Sequence, residues 1–162
     1  MPDESGKLEG QSNHAGTGRK YSVLIADDEE PDRFFLKEAI RKHAPTFQVV
    51  GEVGDGEEVI AYLWGYGKYS DREKYPFPKL LIMDCRMPRI TGIQVLEWLQ
   101  TQKFPELKVA LLADSSQAMF REKALSLGLN HFYQKAVNAS LLEDVVKRLQ
   151  AELEKNPDGC FL

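Results

Sequence analysis

Five short apolar runs recur along the chain, and each is followed by a stretch in which apolar residues return at helical spacing. This alternation restricts the fold more than any other feature of the sequence. The runs are Tyr21–Ala26, Phe47–Val53, Leu80–Met83, Lys108–Ala113 and His131–Gln134. They are too short for helices and read as strands, and the apolar, β-rich Tyr21–Ala26 (YSVLIA) suits a strand buried on both faces. Phe35, Leu36, Ala39 and Ile40 mark a first helix, entered at Pro31 and closed before Pro45. Val59, Ile60 and Leu63 mark a second; Val95, Leu96 and Leu99 a third; Phe120, Ala124 and Leu127 a fourth, ended by Gly128. Leu141, Leu142, Val145, Val146 and Leu149 give the clearest amphipathic pattern, a fifth helix. Five such strands alternating with five helices predict an α/β domain, a doubly wound parallel sheet with helices on both faces. In these sheets chemistry sits at the carboxyl ends of the strands, near the point where strand order reverses.

Composition sets the outer limits. The 162 residues are 43% hydrophobic and 28% charged, which fits one ordinary globular domain that needs no disulfide or metal to stabilise it. The formal net charge of −4 opposes broad electrostatic binding to nucleic acid. No apolar run approaches the length of a membrane span, and the N-terminus lacks the apolar core of a signal peptide. A cytoplasmic protein is expected. The folded domain is expected over 21–153. Residues 1–20, with Met1, Leu8 and Ala15 as their apolar members, read as a flexible tail, and 154–162 as a second, shorter one. Cys85 and Cys160 have no metal-site spacing, His14, His43 and His131 are scattered, and no dinucleotide-binding glycine pattern follows the first strand. Cys85 reads as a small buried side chain.

The acids at the strand ends carry the chemistry. Asp27 and Asp28 follow the first strand, Asp84 the third, and Lys135 the fifth. If these ends meet, three carboxylates and an ammonium share one shallow pocket. Mutual repulsion among the carboxylates is relieved by a hard divalent cation with oxygen ligands, and Mg²⁺ fits. A metal and a lysine are also what a transferring phosphoryl group needs, leaving one aspartate as nucleophile. Acids near a helix N-terminus also complement the helix dipole, which accounts for Glu29, Glu30 and Asp32. It accounts poorly for Asp27 and Asp28, and not for Asp84.

The ordered set of Asp27-Asp28, the run Leu80-Leu81-Ile82-Met83-Asp84-Cys85-Arg86-Met87-Pro88-Arg89-Ile90-Thr91-Gly92, and Lys135 resembles the receiver domain of two-component response regulators. The likeness covers Tyr21 to about Leu153. It implies a flavodoxin-like sheet order 2-1-3-4-5, with Asp84 as phosphoacceptor and Asp27 and Asp28 as metal-site acids. It also implies a backbone Mg²⁺ ligand from Arg86, a phosphoryl contact from Lys135, and a sensor histidine kinase as donor. Only self-phosphorylation and autodephosphorylation are implied, not enzymatic turnover. With few residues after the fifth helix, output is expected through contacts with an unidentified protein target. The face of helix 4, strand 5 and helix 5 is expected to make them, and a homodimer would form on the same face.

The loop at 65–79 (GYGKYSDREKYPFPK), Gly54-Asp55-Gly56-Glu57-Glu58 and Ser115-Ser116 resemble the stand-alone regulators associated with phytochrome-type kinases. A tolerated surface insertion reads the same residues equally well. Its aromatic residues, with Tyr62 and Trp64, form either a partner surface or a staple folded back on the body.

Three positions depart from the family pattern. Ala113 stands where receivers end the fourth strand with a hydroxyl that bonds the phosphoryl group. Such a bond to a charged group contributes about 1.5–3 kcal/mol. Asp114 adds a carboxylate, which serves as a helix cap or opposes the phosphoryl group; Ser115 would replace the missing hydroxyl if the loop shifts. Ala136 replaces the usual proline after Lys135, so a trans Lys135–Ala136 bond is expected. Phe132 occupies the aromatic switch position, where a core or edge role is the plainer reading. A degenerate receiver, binding partners without phosphorylation, is therefore the first alternative. A Mg²⁺-dependent phosphohydrolase is the second, opposed by Arg86 where a general acid would stand.

Overall fold

The computed structural model describes residues 19–114, 119–135 and 138–157. Strands β1 (Tyr21–Ala26), β2 (Phe47–Val53), β3 (Leu80–Asp84), β4 (Lys108–Ala113) and β5 (Phe132–Gln134) form one sheet in the order β2-β1-β3-β4-β5. All its pairings are parallel. Helices α1 (Glu30–His43), α2 (Gly56–Trp64), α3 (Gly92–Thr101), α4 (Met119–Ser126) and α5 (Ala139–Lys155) connect and cover the strands. The expected doubly wound architecture and strand order are present.

Strand alternation sorts the apolar side chains into two cores, one on each face of the sheet. Val23 and Ile25 of β1, Leu80 and Ile82 of β3, and Ala110 and Leu112 of β4 pack with Leu36 and Ile40 of α1 and Val146 and Leu149 of α5. Leu24, Leu81, Met83, Val109 and Leu111 face the other way, with Val59 of α2, Val95 and Leu96 of α3 and Ala124 of α4. The inner strands are buried on both faces, which is why they read as unbroken apolar runs.

Helix starts follow local chemistry. Pro31 occupies the first turn of α1. Asp55 caps α2 by accepting from the Glu58 amide at 2.8 Å. Thr91 and Gln94 form a capping box on α3. Asn138 accepts from the Leu141 amide at 3.0 Å and opens α5.

Three boundaries differ from expectation. β3 includes Asp84, whose pairing with Leu112 continues the ladder one residue beyond the apolar run. β5 begins at Phe132, although the His131 carbonyl still accepts from the Leu111 amide. α5 runs on through Glu154 and Lys155 because Leu153 is fully buried and extends its apolar stripe.

The 65–79 segment folds back on the body. Residues Gly67–Ser70 form a 3-10 turn that buries Tyr69 against Tyr62, with Tyr75 edge-on to both rings. Arg72 donates from Nη1 to the Tyr62 carbonyl at 2.8 Å and from Nη2 to the Leu63 carbonyl at 2.9 Å. These are carbonyls of the last turn of α2, where a cation suits the helix dipole. The staple reading of this segment is the one realised, while Trp64 and Tyr66 remain exposed. No described helix is long and apolar enough to cross a membrane.

Candidate functional site

Placing β1 beside β3 at the centre of the sheet sets Asp27 and Asp84 next to each other, since Ala26 pairs with Met83. Both aspartates are buried, at 5% and 6% exposure. Asp27 is held by its backbone: its amide donates to the Val53 carbonyl at 3.1 Å, and Arg33 Nη1 donates to its carbonyl at 2.7 Å. Its Oδ1 accepts from the Glu29 amide at 2.9 Å. Asp28 follows, exposed. One carboxylate oxygen from each of Asp27, Asp28 and Asp84 lies within 4.8 Å of the others.

Lys135 closes the cluster from the end of β5. Its Nζ lies 2.9 Å from Asp27 Oδ2, 3.0 Å from Asp84 Oδ2 and 2.7 Å from Asp32 Oδ2. The sequence-predicted Asp27, Asp28, Asp84 and Lys135 thus converge. Asp32 joins them without having been assigned to the site, because a first-turn acid is already explained by the helix dipole. The signal available was proximity: Asp32 lies four residues after Asp28, close to the strand end that carries Asp27.

Electrostatics follow from burial and this crowding. Burial pushes the Asp84 carboxyl up to about 6, against the attraction and hydrogen bond of Lys135. Burial also raises Asp27, partly offset by the Glu29 amide and Lys135. Burial disfavours the Lys135 charge, but hydrogen bonds to Asp32 and Asp27 and the field of Asp84 more than offset it, so the ammonium is held above the usual lysine range. Burial pushes the Cys85 thiol to about 11, with Asp84 adding to the effect, so it stands as an inert buried thiol.

The remaining predicted positions surround this centre. The Arg86 side chain is exposed, and its amide approaches Asp84 Oδ1 at 3.4 Å. Ala113 is buried at the end of β4, and its carbonyl accepts from the Lys135 amide. Asp114 is exposed. Phe132 is half-buried and packs against the core on the α2–α4 face. Ser115, Ser116 and Ala136 lie outside the described residues, and with them the Ser115 substitution and the Lys135–Ala136 bond.

The donor set fits a hard divalent cation. It offers carboxylate oxygens from three aspartates, two of them buried, with no sulfur or imidazole among them. Chemically, the pocket is suited to such a cation and presents two buried carboxylates, Asp27 and Asp84, beside an ammonium.

Comparison with known proteins gives the family context. The family model described as "Response regulator receiver domain" matches residues 23–147. A protein-glutamate methylesterase/protein-glutamine glutaminase of Syntrophomonas wolfei is 32% identical over 132 residues, 81% of this chain and 34% of that protein. The phosphorylated cyanobacterial phytochrome response regulator RcpA superposes with a TM-score of 0.71 at 25% identity, covering 81% of this chain and 91% of that one. RPA3017, a response regulator in red light signaling of R. palustris, superposes with a TM-score of 0.66 at 26% identity, covering 83% and 92%. The chain spans 34% to 58% of the length of the first curated relatives it matches.

Proposed function

The chain belongs to the response regulator receiver domain family, and from that premise we propose that it accepts a phosphoryl group from a sensor histidine kinase on Asp84 and signals through protein contacts. The observation that carries this reading is the 3.0 Å contact between Lys135 Nζ and a buried Asp84 carboxylate, inside a cluster that also holds Asp27 and Asp28.

Each residue has a role that its position supports. Asp84 supplies the attacking carboxylate oxygen. Asp27, Asp28 and Asp84, with the Arg86 carbonyl, would hold Mg²⁺. When bound, that ion offsets charge on the phosphoryl oxygens. Lys135 offsets the remaining charge from the other side. The new negative group alters the β4 and β5 ends, and the α4–β5–α5 face, with Phe132, transmits the change to the target. A homodimer on that face is one such contact. The reading is of self-phosphorylation and autodephosphorylation, without turnover of a substrate.

The superpositions on RcpA, described as a phytochrome response regulator, and RPA3017, described in red light signaling, cover 91% and 92% of those chains and support a stand-alone regulator of the phytochrome-associated kind. The test is intact mass after incubation with Mg²⁺ and acetyl phosphate. A gain of one phosphoryl group that requires Mg²⁺ and is lost in Asp84→Asn is expected. No gain, with Mg²⁺ still bound, overturns the acceptor role.

A second reading is favoured by Ala113, buried at the β4 end with no hydroxyl to offer. On this reading the domain binds its partner whether or not Asp84 is phosphorylated. Equal partner affinity of the two forms would select it.

A further inference from the structure

Lysine carries three ammonium protons and no acceptor. Around Lys135 three carboxylate oxygens, from Asp27, Asp32 and Asp84, each lie within hydrogen-bonding distance. The ammonium therefore donates to Asp84 and is ion-paired with Asp27 and Asp32 before any phosphoryl group arrives. The roles proposed above release two of the three partners. Asp84 becomes the acyl phosphate, and Asp27 turns to the metal. Asp32 has neither role, and its contact, at 2.7 Å, is the shortest.

The setting of Asp32 makes this contact persistent. It sits in the first turn of α1, directly after Pro31, so its backbone position is fixed by the helix. Asp32 is drawn to the ionised state: burial opposes its charge, but hydrogen bonds to Lys135 and Glu29 outweigh burial.

We propose that Asp32 is a positioning residue that anchors Lys135 on the α1 side of the site, so that a phosphoryl group on Asp84 must compete with a resident carboxylate for the ammonium. The assignment rests on the phosphoacceptor reading of Asp84. It makes Asp32 an internal anionic competitor. It restrains phosphorylation and holds Lys135 in place while the site is empty.

Two measurements on the full chain test it separately. The first is thermal melting in EDTA of the wild type, Asp32→Asn, Lys135→Met and the double variant, a cycle that isolates the pairwise coupling. Asp32→Asn lowers the melting midpoint when Lys135 is present. It raises the midpoint in Lys135→Met, where it removes one of several unpaired acids. A shift of the same sign and size in both backgrounds overturns the anchoring. The second is the initial rate of mass gain with Mg²⁺ and acetyl phosphate as the probe. Asp32→Asn, which keeps the shape and loses the charge, is expected to react ~3- to 10-fold faster, a range set by a partly exposed ion pair. An equal or slower rate overturns the competition. Absence of any mass gain in the wild type overturns the acceptor reading itself, while the melting cycle still decides whether Asp32 holds Lys135.

Discussion

The amide of Lys135 donates to the Ala113 carbonyl across 2.6 Å. The lysine of the site and the residue lacking the family's hydroxyl are therefore tied at adjacent strand ends. Ala113→Ser adds one oxygen at this junction. It is expected to strengthen the phosphorylation-driven shift by about tenfold or more, since a hydrogen bond to a charged group contributes about 1.5–3 kcal/mol. Amide exchange of α4 with and without beryllofluoride reads the effect. An equal response in both proteins would show that the hydroxyl is not limiting.

Asp84 gives the metal-free protein a defined pH dependence. Burial raises its carboxyl to about 6, above the roughly 3.9 of an unfolded aspartate. The folded state therefore binds the proton more tightly. This contribution to stability is fully present below the unfolded value and is lost as pH rises through about 6. Asp27, raised by burial, acts with the same sign. In EDTA the melting midpoint is expected to fall between pH 5 and pH 7.5, and Asp84→Asn to flatten that fall. Mg²⁺ is expected to raise the midpoint at pH 7.5 and have little effect at pH 5, where protons compete for the same oxygens. A midpoint that rises with pH in EDTA would contradict the assignment.

Arg72 joins the 65–79 segment to α2. Besides its two bonds to the Tyr62 and Leu63 carbonyls, its guanidinium lies 5.6 Å from the Phe77 ring centroid. Arg72→Ala is expected to cost about 2–4 kcal/mol in urea unfolding, from charge-assisted bonds and the lost cation–π contact. Arg72→Lys should recover less than half, because a single ammonium cannot reproduce the planar fork. Full recovery by lysine would reduce the role of Arg72 to its charge.

Gly92 leaves no room behind the end of β3. A Cβ there would sit 2.6 Å from the Asp84 carbonyl oxygen and 2.9 Å from Leu111 Cδ1. Gly92→Ala must push the end of β3 away. We expect a loss of about 1–3 kcal/mol together with weakened Mg²⁺ binding, measured by titration calorimetry on the folded variant. Unchanged metal affinity would mean that the backbone at Asp84 does not need its present place.

The strands and the site were legible to different degrees. The three inner strands, β1, β3 and β4, stood out because burial on both faces removes the polar interruptions that blur a strand. Asp27 and Asp84 were legible because each stands at the end of such a run, and Lys135 because it follows the short fifth strand. The end of β3 was not, since Asp84 pairs in the ladder although it is not apolar. The order of strands came from family resemblance; periodicity says which segments are strands, not which are neighbours. Asp32 was passed over because its local role at a helix start was sufficient, and its partner lies on a different element far along the chain. Arg72 was invisible for a related reason: its targets are backbone carbonyls, which carry no residue signature.

The two flanks of the sheet are fastened unequally. α2 buries Val59, Tyr62 and Leu63 and is clasped at its end by Arg72, whereas Ala124 is the buried residue of α4, and Met119 and Leu125 lie exposed on it. Local opening free energies follow such differences in anchoring. On that ground α4 is expected to open more readily than α2. Were Asp84 modified as proposed, displacement is expected at the α4 flank, much as a plate clamped along one edge bends at the free edge.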